Sequence, residues 1–243
     1  MVKPVTKIKP EAPRSQRREP TQERAQKTIQ TLFKAAAHIL DKEGEAALST
    51  NKVAAVAGFS IGTLYQYFPS KEMLVRAMAA RGQDLVLQEL ESYLSALESR
   101  ADVQQMDGRE LLGKAIHILL LGFGSGKGLS RTLIRLGWTL EKPDETASAV
   151  RQVADRLSIF FERIDHPALQ APSAAQLFVL TRSVIGTLRS ASLEKSPLLA
   201  SPAFEEALTQ MAWALLAKPV QDPAVQAQAV QAVGLALGKR PIR

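Results

Sequence analysis

The chain has 243 residues, 46% of them hydrophobic, enough to fill the core of one large or two small domains. It has no cysteine, which excludes disulfides, thiolate zinc sites and cysteine nucleophiles together. The net charge of +7 is uneven: residues 1–80 carry 13 Lys and Arg against 7 Asp and Glu, and the rest carry 18 against 17, so the N-terminal third is the basic part.

No apolar run approaches the roughly 18 residues of a membrane span. The opening MVKPVTKIKPEAPRSQRREP has charge and proline where a signal peptide has its apolar segment, so the expected compartment is the cytoplasm. Residues 1–19 read as a flexible basic arm, either a solvated tail or, through Arg14, Arg17 and Arg18, a segment lying on phosphates.

Periodicity then predicts an all-α chain. Thr21 is placed as the cap of a first helix, along which Ile29, Leu32, Phe33, Ala36, Ile39 and Leu40 keep helical spacing until Gly44. Ser49 or Thr50 caps a short helix to Ala57, Gly58 permits a sharp turn, and Ser60 caps a third helix ending near Pro69. Ser70 caps a fourth, with Met73, Leu74, Ala77 and Met78 as its apolar stripe, running to about Glu98. Two short helices joined by a glycine turn have the form of a helix-turn-helix. On the wheel of the third helix, Ile61, Leu64 and Phe68 share the inward face; Gly62, Thr63, Gln66 and Tyr67 point out, and Tyr65 sits at the border. That outward set offers hydroxyls, small residues and an amide able to bond an adenine edge.

The same stretch, GFSIG, matches the G-x-S-x-G nucleophile elbow, which would make Ser60 the nucleophile of an esterase. An elbow needs a strand before it and an acid and histidine after it. Only His117 and His166 follow, in no strand-and-turn context, and the chain lacks the β-branched runs of a parallel sheet.

The run STNKVAAVAGFSIGTLYQYFPSKEML resembles the DNA-binding domain of the TetR/AcrR family of transcriptional regulators, over roughly residues 20–75. The resemblance implies a three-helix DNA-binding domain and a larger helical domain over 76–243 for effector binding and dimerisation. It also implies a homodimer on palindromic double-stranded DNA. Position by position, it implies DNA contacts from Thr50, Ser60, Gly62, Thr63, Tyr65, Gln66, Tyr67 and Lys71. Thr50, Tyr65, Tyr67 and Lys71 fall on phosphate-contacting positions, and Thr63 and Gln66 nearer base edges. Ile61, turned inward by the wheel, is given no base contact, and Phe59, Leu64 and Phe68 are core.

Beyond residue 80, helices are expected at Glu110–Leu121, Leu129–Leu140, Glu145–Ile164, Ser173–Leu193 and Pro202–Leu216, with a last short one at Ala224–Leu237. GFGSGKG, after the first of these, lacks the spacing of a phosphate loop and reads as an interhelical loop. By the resemblance, helices 173–193 and 202–216 form the dimer bundle. Leu177, Leu180, Val184 and Leu188, then Leu208, Met211, Ala212 and Leu215, give stripes broad enough for a partner, or for packing within the chain. His117, Phe123, Trp138 and Phe160 stand out as candidate effector contacts among aliphatic neighbours. No metal-ligand spacing and no carboxylate pair for acid/base work is present, so no catalytic residue, metal or cofactor is expected. The expected protein is a non-enzymatic, cytoplasmic, homodimeric regulator, a repressor released from its operator by a small apolar effector of unknown identity. The alternative is a DNA-binding protein without ligand control, serving chromosome organisation.

Overall fold

The computed structural model describes residues 19–122 and 131–219. The arm residues 1–18, Phe123 and the expected helix over 224–237 lie outside the described residues. The fold is all-α. Among the described residues it consists of nine α-helices: α1 Glu19–Glu43, α2 Thr50–Ala57, α3 Ile61–Tyr67, α4 Lys71–Glu98, α5 Gly108–Leu120, α6 Arg131–Leu140, α7 Pro143–Arg163, α8 Ala174–Leu193 and α9 Pro202–Leu216. Among the described residues the one β-type pairing is an isolated bridge between Leu169 and Ala217.

The chain divides into two compact units. The first holds the described residues up to Gly82 together with α6, so it takes in a helix about fifty residues beyond its other members, outside the 20–75 span expected from the sequence. Its core joins Leu32, Ala36 and Ile39 of α1, Val53 of α2, Leu64 of α3, Leu74 and Met78 of α4 and Leu133 of α6. α1 already includes Thr21, so that residue is not the helix cap; a proline at position 20 is no obstacle, because the first turn of a helix needs no N–H from it. Met73 of the expected α4 stripe is about half exposed; the buried stripe is Leu74, Val75 and Met78. α6 lies close on α4: a Cβ on Gly137 would stand 2.5 Å from the Cβ of Ala79, so only glycine permits this approach. Arg76 of α4 donates to the carbonyl of Leu140 at 3.2 Å, and Arg135 of α6 pairs with Glu45 in the turn after α1.

The second unit contains the remainder of α4, with α5, α7, α8 and α9. Its helices begin at legible caps. Asp107 accepts from the N–H groups of Arg109 and Glu110, Ser173 and Gln176 form a reciprocal capping box, and Ser201 accepts from Phe204 N–H. α7 starts two residues earlier than expected because Pro143 suits a first turn, while Glu145 reaches back to the N–H of Lys142. His166 is buried at the α5 start: its Nδ1 accepts from Ala168 N–H at 3.1 Å, and its Nε2–H donates to Met106 O at 3.0 Å. Both ring nitrogens are thus used for structure. Arg156 of α7 ties back to α4, donating to Glu91 at 2.5 Å and Glu98 at 2.8 Å.

Candidate nucleic-acid interface

The turn between α2 and α3 is set by backbone chemistry. Gly58 takes the left-handed conformation, φ 73°, that residues with a Cβ adopt at a cost. Its N–H reaches the carbonyl of Ala55 at 3.2 Å, and the N–H of Phe59 reaches that of Ala54 at 2.9 Å, the crossed pair of bonds that closes a helix with glycine. Ser60 then opens α3, its Oγ accepting from Thr63 N–H at 3.0 Å and lying 2.9 Å from Thr63 Oγ1. The segment before Ser60 is helix α2, not the strand that a nucleophile elbow requires. Leu64, fully buried, and Phe68, whose ring centre is 5.6 Å from that of Phe33 in α1, hold α3 to the core.

With α3 so anchored, its other face is open. Tyr65 is 48% exposed, Gln66 and Gly62 are exposed, and Thr63 is half-buried beside Ser60. Across the turn, Thr50 Oγ1 of α2 lies 3.2 Å from the Tyr65 hydroxyl. Of the two caps the sequence offers for α2, Ser49 takes the place: it accepts from Lys52 N–H, and Thr50 is the first helical residue. Two details differ from the sequence reading. Tyr67 is not outward but half-buried against the core, because it lies one turn beyond Leu64 and beside Phe68. Ile61 is not inward but 37% exposed: α3 has seven residues, and its first falls short of the contact that Leu64 and Phe68 make with α1 and α2. Ile61 is a member of this surface that the sequence reading turned inward. Ile61 was hidden by a wheel that treats every residue of a short helix as packed.

Charge on this face is sparse. Lys52 is paired with Glu43. Lys71, exposed at the first turn of α4, is followed by Glu72, whose carboxyl is held below the usual range by its own backbone N–H and by the hydroxyl of Ser70. Lys71 is thus an exposed cation at the edge of a face made otherwise of hydroxyls and amides.

The residues named as effector contacts separate. Phe160 lines an apolar cavity of about 70 Å³ in the second unit, walled by side chains such as Leu90, Leu97, Leu119, Phe161 and Ile185. The two polar groups in that wall are turned to backbone: Tyr93 donates to Leu111 O at 3.0 Å, and Thr181 to Leu177 O at 2.7 Å. Burial pushes the Tyr93 phenol up to about 12. His117 does not line it; it is on the surface, with Nδ1 3.1 Å from both carboxylate oxygens of Glu205 on α9. Trp138 does not line it either: it is buried in α6, which belongs to the first unit. Phe123 lies outside the described residues. An open groove of about 600 Å³ between α4 and α7 shares Leu90, Leu94, Val153 and Leu157 with the cavity, so these four side chains are the wall between the two spaces. Among the described residues no cluster of His, Asp and Glu has a metal-binding arrangement, and no helix is long and apolar enough to cross a membrane.

Residues 32–78 match the family model for bacterial regulatory proteins of the tetR family. Among solved structures, the chain is similar to SmeT, the repressor of the Stenotrophomonas maltophilia multidrug efflux pump SmeDEF. That match has 19% identity, covers 79% of this chain and 91% of that one, and has a TM-score of 0.54. It is similar to a putative TetR-family transcriptional regulator of Mesorhizobium loti MAFF303099, at 15% identity over 79% and 94% of the two chains, TM-score 0.53. It is also similar to the multidrug binding protein EbrR complexed with imidazole, at 19% identity over 79% and 97%, TM-score 0.50. At these identities the likeness is one of fold. No curated protein sequence matches the chain.

Proposed function

We propose that this chain, which belongs to the tetR family of bacterial regulatory proteins and is a DNA-binding transcriptional regulator, works as a repressor. It binds a palindromic operator as a homodimer and lets go when a small apolar molecule enters its second unit. The observation that carries the DNA-binding part is the open face of α3. A helix pinned by Leu64 and Phe68 presents Tyr65, Gln66 and Gly62 outward beside Thr50 and Lys71, a polar set with no partner in the core. In this reading Tyr65, Thr50 and Lys71 hold phosphates and Gln66 reads a base edge. Tyr67, half-buried, contributes its hydroxyl from the rim, and Ser60 and Thr63 shape the start of the helix. Ser60 acts as a helix cap, so the reading is non-enzymatic.

The dimer would form through α8 and α9. The stripes expected to meet a partner are mostly spent inside the chain: Leu177, Leu180, Val184, Leu188, Leu208 and Ala212 are buried, and Met211 and Leu215 are half-buried. What α8 leaves outside is Phe178, with the Arg182 guanidinium 4.0 Å above its ring, then Val179 and Leu193. A second copy covering these removes apolar surface from water, which favours association.

Release follows from linkage. An effector that prefers a form with badly spaced recognition helices lowers DNA affinity by the same factor that DNA lowers effector affinity. α4 runs from the first unit into the second, and the chain passes from α6 into the second at Glu141, so among the described residues a change in the second unit's helices has two covalent routes to the first. The apolar cavity supports an apolar effector, as does the apolar wall it shares with the α4/α7 groove, through which such a molecule would pass. That EbrR was crystallised with imidazole, and SmeT represses an efflux pump, is in keeping with small-molecule control.

One observation favours a second reading, DNA binding without ligand control in chromosome organisation: about 70 Å³ is well under the roughly 300 Å³ of a drug-sized pocket, so an effector would have to part side chains to enter. Mapping the sites occupied across the genome separates the two. Few sites at promoters, vacated when the effector is added, support the repressor; many dispersed sites support the organiser.

A further inference from the structure

Two neighbouring residues of α3 leave surface open that the core does not use. Ile61 is 37% exposed, whereas Leu64 one turn on is fully buried. Gly62 is exposed too, and a Cβ there would meet only the Ser60 hydroxyl, at 3.7 Å, an ordinary contact. Its backbone is not in the left-handed region that calls for glycine. Glycine within a helix is destabilising relative to alanine, and here neither packing nor backbone geometry requires it. A branched apolar side chain with over a third of its surface left in water, beside a missing Cβ, is a surface open to close approach by something outside the chain.

The chemistry of a base pair narrows what that something is. In the major groove each base edge presents hydrogen-bonding groups, and the apolar group among them is the C5 methyl of thymine. The hydroxyls nearest Ile61 are bonded to each other: Ser60 Oγ accepts from Thr63 N–H and hydrogen-bonds with Thr63 Oγ1 at 2.9 Å. Gln66 is the exposed amide of this helix and Ile61 its exposed aliphatic side chain. We propose that Ile61 reads sequence by packing on the C5 methyl of one thymine in each operator half-site, with Gly62 letting the helix close to that distance. The proposal rests on the DNA-binding reading above and adds a specificity-determining residue to it.

The test removes the methyl and the side chain separately. A binding sequence is first selected from random duplex DNA with the full chain; failure to select any sequence defeats the DNA-binding reading itself. In the selected operator each thymine is then replaced in turn by uracil, which deletes only the C5 methyl, and affinities are measured for the wild type and Ile61→Ala. The expected result is one position per half-site where uracil weakens the wild type about fourfold, as one buried methyl should, and leaves Ile61→Ala unchanged. If every uracil position affects the two proteins equally, or none affects the wild type, the proposal is overturned. A thermal melt of each protein guards the comparison: Ile61, more than a third exposed, predicts a small drop in midpoint for Ile61→Ala, and a drop as large as that of a fully buried isoleucine would make it a packing residue and also defeat the proposal.

Discussion

The Tyr65 hydroxyl lies 3.2 Å from Thr50 Oγ1, so two oxygens from different helices are presented together at the open side of the α2/α3 turn. One hydrogen of the pair serves the bond between them and the other is left to point outward, at a phosphate in the reading given above. Tyr65→Phe should therefore weaken binding to every DNA sequence by about fivefold per half-site, the worth of roughly 1 kcal/mol for one neutral hydrogen bond. Because no cation is lost, the slope of log affinity against log salt should not change. Titrations at three salt concentrations check both parts.

Lys71 should behave in the opposite way. Exposed at the first turn of α4, it is the cation best placed beside that face. Lys71→Ala should weaken all sequences alike and lower the magnitude of the salt slope by about 0.9 per subunit, through the counterion no longer released. A loss of affinity with an unchanged slope would remove Lys71 from the phosphates.

α6 offers a test of packing away from DNA. Since a Cβ on Gly137 would stand 2.5 Å from the Ala79 Cβ, Gly137→Ala should destabilise the fold by about 1–3 kcal/mol, read from the midpoint of urea unfolding. Moving the methyl out of the way, in the double variant Ala79→Gly with Gly137→Ala, should restore at least half of that loss. Two independent, additive losses would mean the methyls do not meet.

These contrasts show how far periodicity reaches. The helix-turn-helix was legible because its chemistry is local: a left-handed glycine at 58, a serine cap at 60, and apolar residues at 64 and 68 bring their own geometry. The place of Ile61 was not, because a wheel describes direction and not depth, and the first residue of a seven-residue helix overhangs the core. Nor was the place of Trp138, since nothing in the run Arg131–Leu140 says that its apolar face meets α1 and α4 and not its neighbours in sequence. For α8, the sequence pattern marks Leu177, Leu180, Val184 and Leu188 as apolar but cannot say whether the chain or a partner covers them, and the chain does.

The cavity carries a pH signature. Tyr93 holds its proton up to about pH 12 in the folded chain, against an ordinary value of 10.0, because ionising it would bury a charge. The unfolded chain therefore loses this proton first, and the stability it represents is complete below pH 10 and lost as the pH rises towards 12. Tyr93→Phe cannot ionise. Chemical denaturation should find the stability advantage of the wild type over Tyr93→Phe shrinking by on the order of 1 kcal/mol between pH 9 and pH 11. A difference that stays constant would place the phenol in contact with water.

The most direct measurement is selection of bound sequences from random duplex DNA by the full-length protein. The account predicts an inverted repeat whose half-site centres lie one helical turn apart, about 10 base pairs, or a multiple of that, as two recognition helices related by a twofold axis demand. It further predicts that Gln66→Ala selects a repeat of the same spacing with relaxed preference at one position in each half. Recovery of no enriched sequence, or of a single site without inverted symmetry, would contradict it.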